Sequence, residues 1–230
     1  ICKYLHTLNP YPTSVMYTHE ELVALGEVLK RYPGLLIASD DIYEHILLGD
    51  IPFSNLLMAN PDLYDRTILL NGVSKGYSMT GWRIGYAGGP EEIITAMKKV
   101  QSQSTSNPTS IAQVAAETAL NGDQSCIAVM NEAFRQRNLF VTERLNAIPG
   151  VSALSSQGAF YSFANVEGVV ERLPEISNDT ELASMLLNQA DVAVVPGVAF
   201  GMEGYIRLSF ATSMEALSAA MERITTALNG

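Results

Sequence analysis

The chain has 230 residues, with 14 Lys and Arg against 24 Asp and Glu, a formal charge of −10. Hydrophobic residues make up 47% and charged residues 17%, proportions that exclude a disordered or collagen-like chain and suit one large domain or two small ones. An acidic surface repels phosphate backbones, which argues against general nucleic-acid binding, and no apolar run reaches the roughly 18 residues that a membrane span needs.

The first predicted element is a helix. Thr18-His19-Glu20-Glu21 has capping-box spacing, and Leu22, Leu25, Val28 and Leu29 follow at helical spacing until Tyr32-Pro33-Gly34 stops the run. Residues 35–39 read as a buried strand ending at Asp40-Asp41, and residues 67–71 and 84–88 read as two more. Helices between all-apolar strands predict an α/β domain with a mainly parallel sheet. Ligands in such sheets sit beyond the carboxyl ends of strands, which singles out Asp40 and the loop over residues 72–83. Pro90 with Glu91-Glu92 opens a helix through about Val100. A polar break over 102–110, a helix over 111–120 and a boundary at Asn121-Gly122-Asp123 come next. A long helix over about 124–147 then ends at Pro149-Gly150. Strands over 151–154, 159–165, 192–195 and 205–210, with helices over 180–189 and 214–228, predict a second, α+β domain. The expected division is therefore residues 1–122 and 123–230, the second part entered by the long helix.

Three segments carry chemistry. Lys75 lies in a Gly- and Ser-rich loop at a strand end, where an uncharged amine can act as a nucleophile. Arg83 and Ser74, close in sequence to several backbone N–H groups, could hold a phosphate. Asp40 and Tyr43 place a carboxylate and a phenol three residues apart, able to address a ring nitrogen and a ring oxygen of one planar ligand. In residues 205–210 alternation puts Ile206, Leu208 and Phe210 on one face and Arg207 with Ser209 on the other; a strand arginine can bind a carboxylate bidentately. The same residues also read as a solvated basic loop, a helix cap beside a core tyrosine, and an exposed strand arginine. His6, His19 and His45 show no ligand spacing and no HExxH occurs, so no metal site is expected. GxSxG and GxxxxGK[ST] are absent too. Cys2 and Cys126 form no CxxC pair, which argues against a disulfide framework and makes a reducing, cytoplasmic setting the expectation.

Taken together, the segments resemble a known family. Asp40-Asp41-Ile42-Tyr43, the stretch from Asn71-Gly72-Val73-Ser74-Lys75 to Gly81-Trp82-Arg83-Ile84-Gly85, Ser156 to Tyr161, Val195-Pro196-Gly197 and Ile206-Arg207-Leu208-Ser209 are similar, in order and wording, to motifs of class I/II pyridoxal-phosphate aminotransferases. Those enzymes have fold type I, and the similarity is to the C-terminal part of the prokaryotic-type aspartate aminotransferase branch. The resemblance implies a partial large cofactor-binding domain followed by the small domain. It implies pyridoxal 5′-phosphate as cofactor, amino acid and 2-oxo acid as substrates, and a homo-oligomer. By resemblance, Lys75 forms the Schiff base, Asp40 pairs with the pyridine nitrogen and Tyr43 bonds the ring's oxygen. Ser74 and Arg83 grip the phosphate, and Arg207 binds the substrate's α-carboxylate. Where the family has Asn-Pro-Thr-Gly, this chain reads Tyr11-Pro12-Thr13-Ser14; Tyr11 takes the place of a cofactor-contacting Asn, and Asn9 is the nearest stand-in. The family's upstream part supplies further strands and much of the dimer interface, so this chain alone is expected to be impaired. An inactive folded remnant, a C–S β-lyase and an aromatic aminotransferase are the alternatives.

Overall fold

The computed structural model describes residues 4–8 and 10–229. Two compact units emerge: Ile1–Pro10 with Met16–Met130, and Tyr11–Val15 with Asn131–Gly230.

In the first unit, helix α1 (His19–Lys30) begins where the sequence places it. The Thr18 hydroxyl accepts the Glu21 N–H (3.2 Å) while the Glu21 carboxylate accepts the Thr18 N–H (2.8 Å), a complete capping box. At its other end the Arg66 guanidinium donates to the carbonyls of Leu29, Tyr32 and Leu35 at 2.7–3.0 Å, bracing a turn in which Leu29 and Tyr32 also accept the N–H groups of Tyr32 and Leu35. The apolar face of α1 packs Leu29 against Ile37, Leu56 and Leu63, with Leu5 and Leu25 around them. Each such fully buried side chain contributes about 1.5–3 kcal/mol relative to exposure. Leu56 comes from the short helix α2 (Leu56–Ala59), which the side chain of Asn55 caps by accepting the Met58 N–H.

The sheet of this unit runs β1 (Tyr4–Leu8), β2 (Leu36–Asp40), β3 (Thr67–Gly72) and β4 (Gly85–Gly88), in that spatial order. The first three strands are parallel and β4 is antiparallel to β3. Strand β1 is an addition to the predicted set, and the reversed direction of β4 is a second finding. Asp40 stands in register with Leu8 on one side and Leu70 on the other, and Gly72 faces Gly85. The carboxyl ends of β2 and β3 therefore share one edge with the start of β4. Helix α4 (Glu91–Ser104) runs into what reads as a polar break, and α5 (Ser110–Asn121) lays Ala112 and Ala116 against Val73 and Ile84.

The long helix α6 (Ser125–Asn146) passes from one unit to the other between Met130 and Asn131, eight residues beyond the division expected from the sequence. Its first turns are tied to the first unit: Tyr77 Oη donates to Gln124 Oε1 (2.8 Å) and Ser78 Oγ to Met130 Sδ (3.2 Å).

The second unit holds an antiparallel sheet in the order β5 (Ser152–Ala153), β6 (Tyr161–Asn165), β8 (Tyr205–Ser209), β7 (Val195–Pro196). Helices α7 (Glu167–Arg172), α8 (Asp179–Ala190) and α9 (Met214–Asn229) complete it. Expected strand 192–195 survives only as Val195–Pro196, because Asp191 ends α8 in the left-handed region (φ 50°) and the chain needs residues to recover. Pro196 has no N–H to give, and it sits on an edge strand, where none is required. The core gathers Phe134, Phe160 and Phe210 with Leu182, Leu186 and Ile224. Tyr11–Val15 belongs here despite its place in the sequence. Ser14 is fully buried, its hydroxyl donates to the Tyr161 carbonyl (2.8 Å), and its own carbonyl accepts the Gln157 N–H (2.8 Å).

Candidate active site

At the end of β2 two adjacent acids have different surroundings. Asp40 is half-buried; its Oδ1 accepts the Ile42 N–H (3.2 Å), turning the chain, and its Oδ2 lies 3.3 Å from His6 Nε2. Asp41 points inward and is 5% exposed, accepting from Asn55 Nδ2 (2.7 Å) and the Ser39 hydroxyl (3.1 Å). Burial pushes the Asp41 carboxyl up to about 6, against the pull of those two donors, and the nearby charges of Glu44 and Asp40 add to the rise. The Asp41 N–H continues the ladder to the Leu70 carbonyl. Asp40 is thus the acid accessible at the strand end and Asp41 a polar group of the interior. Tyr43 is 4% exposed, so its ring is a core element of the same turn.

Beyond β3, the segment expected as a loop folds as one helical turn, α3 (Val73–Gly76), and it carries Ser74 and Lys75, both half-buried. A single turn is too short to leave a periodic pattern in the sequence. Val73, fully buried against Ile84, Ala112 and Ala116, anchors the turn to α5. Gly72 is required before it: a Cβ there would lie 2.8 Å from the Ile84 carbonyl oxygen. Asn71 closes the approach, with its Nδ2 donating to Glu44 Oε1 (2.6 Å) and its Oδ1 accepting the Gly72 N–H (2.7 Å). Further on, Ser78 and Arg83 adopt left-handed backbone (φ 54° and 56°). That conformation is uncommon away from glycine and clusters at functional sites. Arg83 is exposed and donates from Nη1 to the Thr80 carbonyl (2.9 Å).

The structure brings the ends of β2 and β3 and the residues before β4 to one sheet edge, and with them Asp40, Tyr43, Ser74, Lys75 and Arg83. Arg207 lies in the second unit, on β8. Ile206, Leu208 and Phe210 are buried and Ser209 is exposed, as alternation predicts. The Arg207 guanidinium sits over the rings of Tyr161, Phe200 and Tyr11 at 4.3, 4.6 and 5.0 Å from their centroids, and its Nη1 donates to Tyr11 Oη. Sequence reasoning missed this contact and the pairing of His6 with Asp40. Both join residues distant in sequence, and no local pattern encodes them. Asn9, the stand-in considered for Tyr11, lies outside the described residues. Among the described residues no group of His, Cys, Asp and Glu is arranged to hold a metal ion, and no helix is long and apolar enough to cross a membrane.

A family model for class I and II aminotransferases matches residues 3–224. An aspartate/prephenate aminotransferase of Nitrosomonas europaea is 58% identical over 223 residues, 95% of this chain and 56% of the relative. An aspartate aminotransferase of Geobacillus stearothermophilus is 47% identical over 213 residues, 93% of this chain and 54% of the relative. The chain thus spans about half the length of the curated relatives it matches. Among solved structures, the aspartate aminotransferase of Rhizobium meliloti superposes with a TM-score of 0.93 at 43% identity, over 99% of this chain and 58% of that one. An aromatic aminotransferase from Pyrococcus horikoshii superposes at 0.89 and 33% identity, over 99% of this chain and 60% of that one. With the mixed sheet, the lysine-bearing turn and these matches together, the chain belongs to the class I and II aminotransferase family, whose members use pyridoxal phosphate.

Proposed function

We propose that this chain carries the lysine-bearing part of an aminotransferase that moves an amino group between an amino acid and a 2-oxo acid. The observation that carries the reading is the register of β2 and β3. Asp40 stands opposite Leu70, five residues before Lys75, so a carboxylate and an amine leave neighbouring parallel strands at the same end. The donor set suits pyridoxal phosphate: an amine for its aldehyde, a carboxylate for its ring nitrogen, a phenol for its ring oxygen, and a hydroxyl with a guanidinium for its phosphate. When bound, the cofactor supplies an electron sink for the substrate's α-carbon.

The residues then divide the work. Lys75 would hold the cofactor by its aldehyde and would carry the proton at the substrate's α-carbon. Asp40 would keep the ring nitrogen protonated, and its bond to the Ile42 N–H orients the carboxylate. Tyr43 would donate to the ring oxygen from a ring buried in the turn. Ser74 and Arg83 hold the phosphate by charge-assisted bonds. Arg207 takes the substrate's α-carboxylate. The names of the relatives, aspartate and aspartate/prephenate aminotransferases, support aspartate as amino donor. We place the reaction in the cytoplasm and in a homo-oligomer. Val100, Ile111, Val114 and Val129, each at least 60% exposed, supply apolar surface for a second copy.

The test is to mix the chain with pyridoxal phosphate, reduce with borohydride and map the modified peptide. A stable adduct on Lys75 is the expected result; an adduct spread over surface lysines refutes the assignment.

A further inference from the structure

We propose that Tyr11 is a positioning residue for Arg207, holding its guanidinium so that the Nε–Nη2 edge is presented to a substrate carboxylate; this rests on the reading of Arg207 given above. Tyr11 is brought to the sheet of the second unit by its own segment, which Ser14 pins to the Tyr161 carbonyl and to the Gln157 N–H. Its ring stands edge-on to both Tyr161 (5.8 Å) and Phe200 (5.7 Å), so the three rings form a cage that braces itself. The guanidinium lies 4.3–5.0 Å from all three centroids, within cation–π range.

Two features turn this cage into a receptor. The bond to the Tyr11 hydroxyl uses Nη1. Among the described residues the Arg207 side chain makes no other hydrogen bond and no ion pair. Nε and Nη2, one of the two edges with which arginine grips a carboxylate bidentately, are therefore left open. The partners that fix the side chain are a neutral phenol and aromatic faces, so they order the arginine without cancelling its charge. An acid in the place of Tyr11 would fix Arg207 equally well and compete with the substrate. Ordering a long side chain before the ligand arrives also removes part of the entropic cost of binding.

The test measures binding of maleate to the chain by calorimetry at fixed ionic strength, with chloride as the control anion. Wild type, Tyr11→Phe, Tyr11→Ala and Arg207→Ala are compared, and the Arg207 Nε–H resonance, identified by its loss in Arg207→Ala, is followed by NMR. Tyr11→Phe keeps the ring and removes the bond; it is expected to weaken maleate binding about tenfold and to broaden the Nε–H resonance. Tyr11→Ala is expected to weaken binding further, and Tyr11→Phe carries the test alone if that variant fails to fold. Pyridoxal phosphate capture by Lys75, read as the borohydride-stable adduct, is expected to be equal throughout. Wild-type maleate affinity in Tyr11→Phe, with binding lost in Arg207→Ala, overturns the role of Tyr11 and leaves that of Arg207 standing. Equal binding in wild type and Arg207→Ala, or none in wild type, overturns both.

Discussion

Replacing Asp41 with asparagine should stabilise the first unit at neutral pH and flatten its response to pH. The carboxyl is 5% exposed and is pushed up from 3.8 to about 6, chiefly by burial. In the unfolded chain it titrates near 3.8. Between those two values the folded state binds more protons than the unfolded one, so stability falls as pH rises through the window and levels off above it. The separation is worth at most about 3 kcal/mol, and relaxation of the protein around the buried charge lowers the working figure to roughly 1–2 kcal/mol. Asparagine is nearly isosteric and keeps both contacts: its Oδ1 can accept from Asn55, and its Nδ2 can donate to a rotated Ser39 hydroxyl. It removes the charge whose burial is costly. The assay is urea unfolding from pH 4 to 8, followed by fluorescence of Trp82, the sequence's single tryptophan and a residue of the same unit. Other carboxylates titrate in this range and cancel in the difference between variant and wild type. That difference should be about 1–2 kcal/mol in favour of Asp41→Asn at pH 7.5 and should shrink to a few tenths of a kcal/mol near pH 4. A variant less stable than wild type at pH 7.5, with the deficit growing as pH rises, would refute the argument and mean that Asp41 is stabilised as a carboxylate.

Lys75→Ala should abolish the borohydride-stable adduct and leave circular dichroism unchanged, since the side chain is half-buried and Val73, not Lys75, anchors the turn. Arg66→Ala removes the donors to the carbonyls of Leu29, Tyr32 and Leu35; a loss of about 2–3 kcal/mol in urea unfolding is expected, and a change below 0.5 kcal/mol would show that water replaces the guanidinium. In Gly26→Ala the new Cβ would fall 1.9 Å from Oδ1 of Asn60, a 2%-exposed amide that donates to the Leu22 carbonyl. Displacing it should cost roughly 2–4 kcal/mol, read as a lower thermal midpoint.

Much of this arrangement was legible in the sequence wherever the signal was local. The capping box at Thr18, the alternation around Arg207 and the small-residue run around Lys75 each lie within a few residues, and each emerged as an element or turn near the expected place. Strand β1 was not legible, because Tyr4–Leu8 carries His6 and Thr7 among its apolar residues and its partner lies more than thirty positions away. The direction of β4 leaves no trace in composition, since an apolar strand reads alike either way. Spacing to Tyr43 pointed to Asp40 over Asp41, and burial separates the two acids on different grounds. The aromatic cage was out of reach. Its closing bond spans 196 positions, and only the folded chain brings its members together.

The placement of Tyr11–Val15 in the second unit has a consequence for the order of events on the ribosome. The Tyr161 carbonyl that receives the Ser14 hydroxyl is made 147 residues after it. At about 5–20 residues per second, roughly 7–30 s pass before the segment has anything to bind. Residues 16–130, which belong to the first unit, emerge within that interval. Helices and strands of the first unit are therefore made while Tyr11–Val15 still lacks its partners. The second unit closes only after its last strands have appeared, through contacts of high sequence separation that form slowly. A pause in translation placed after residue 130 lengthens the exposure of that stretch without touching residues 16–130, so the two units meet the cell's proteases on different schedules.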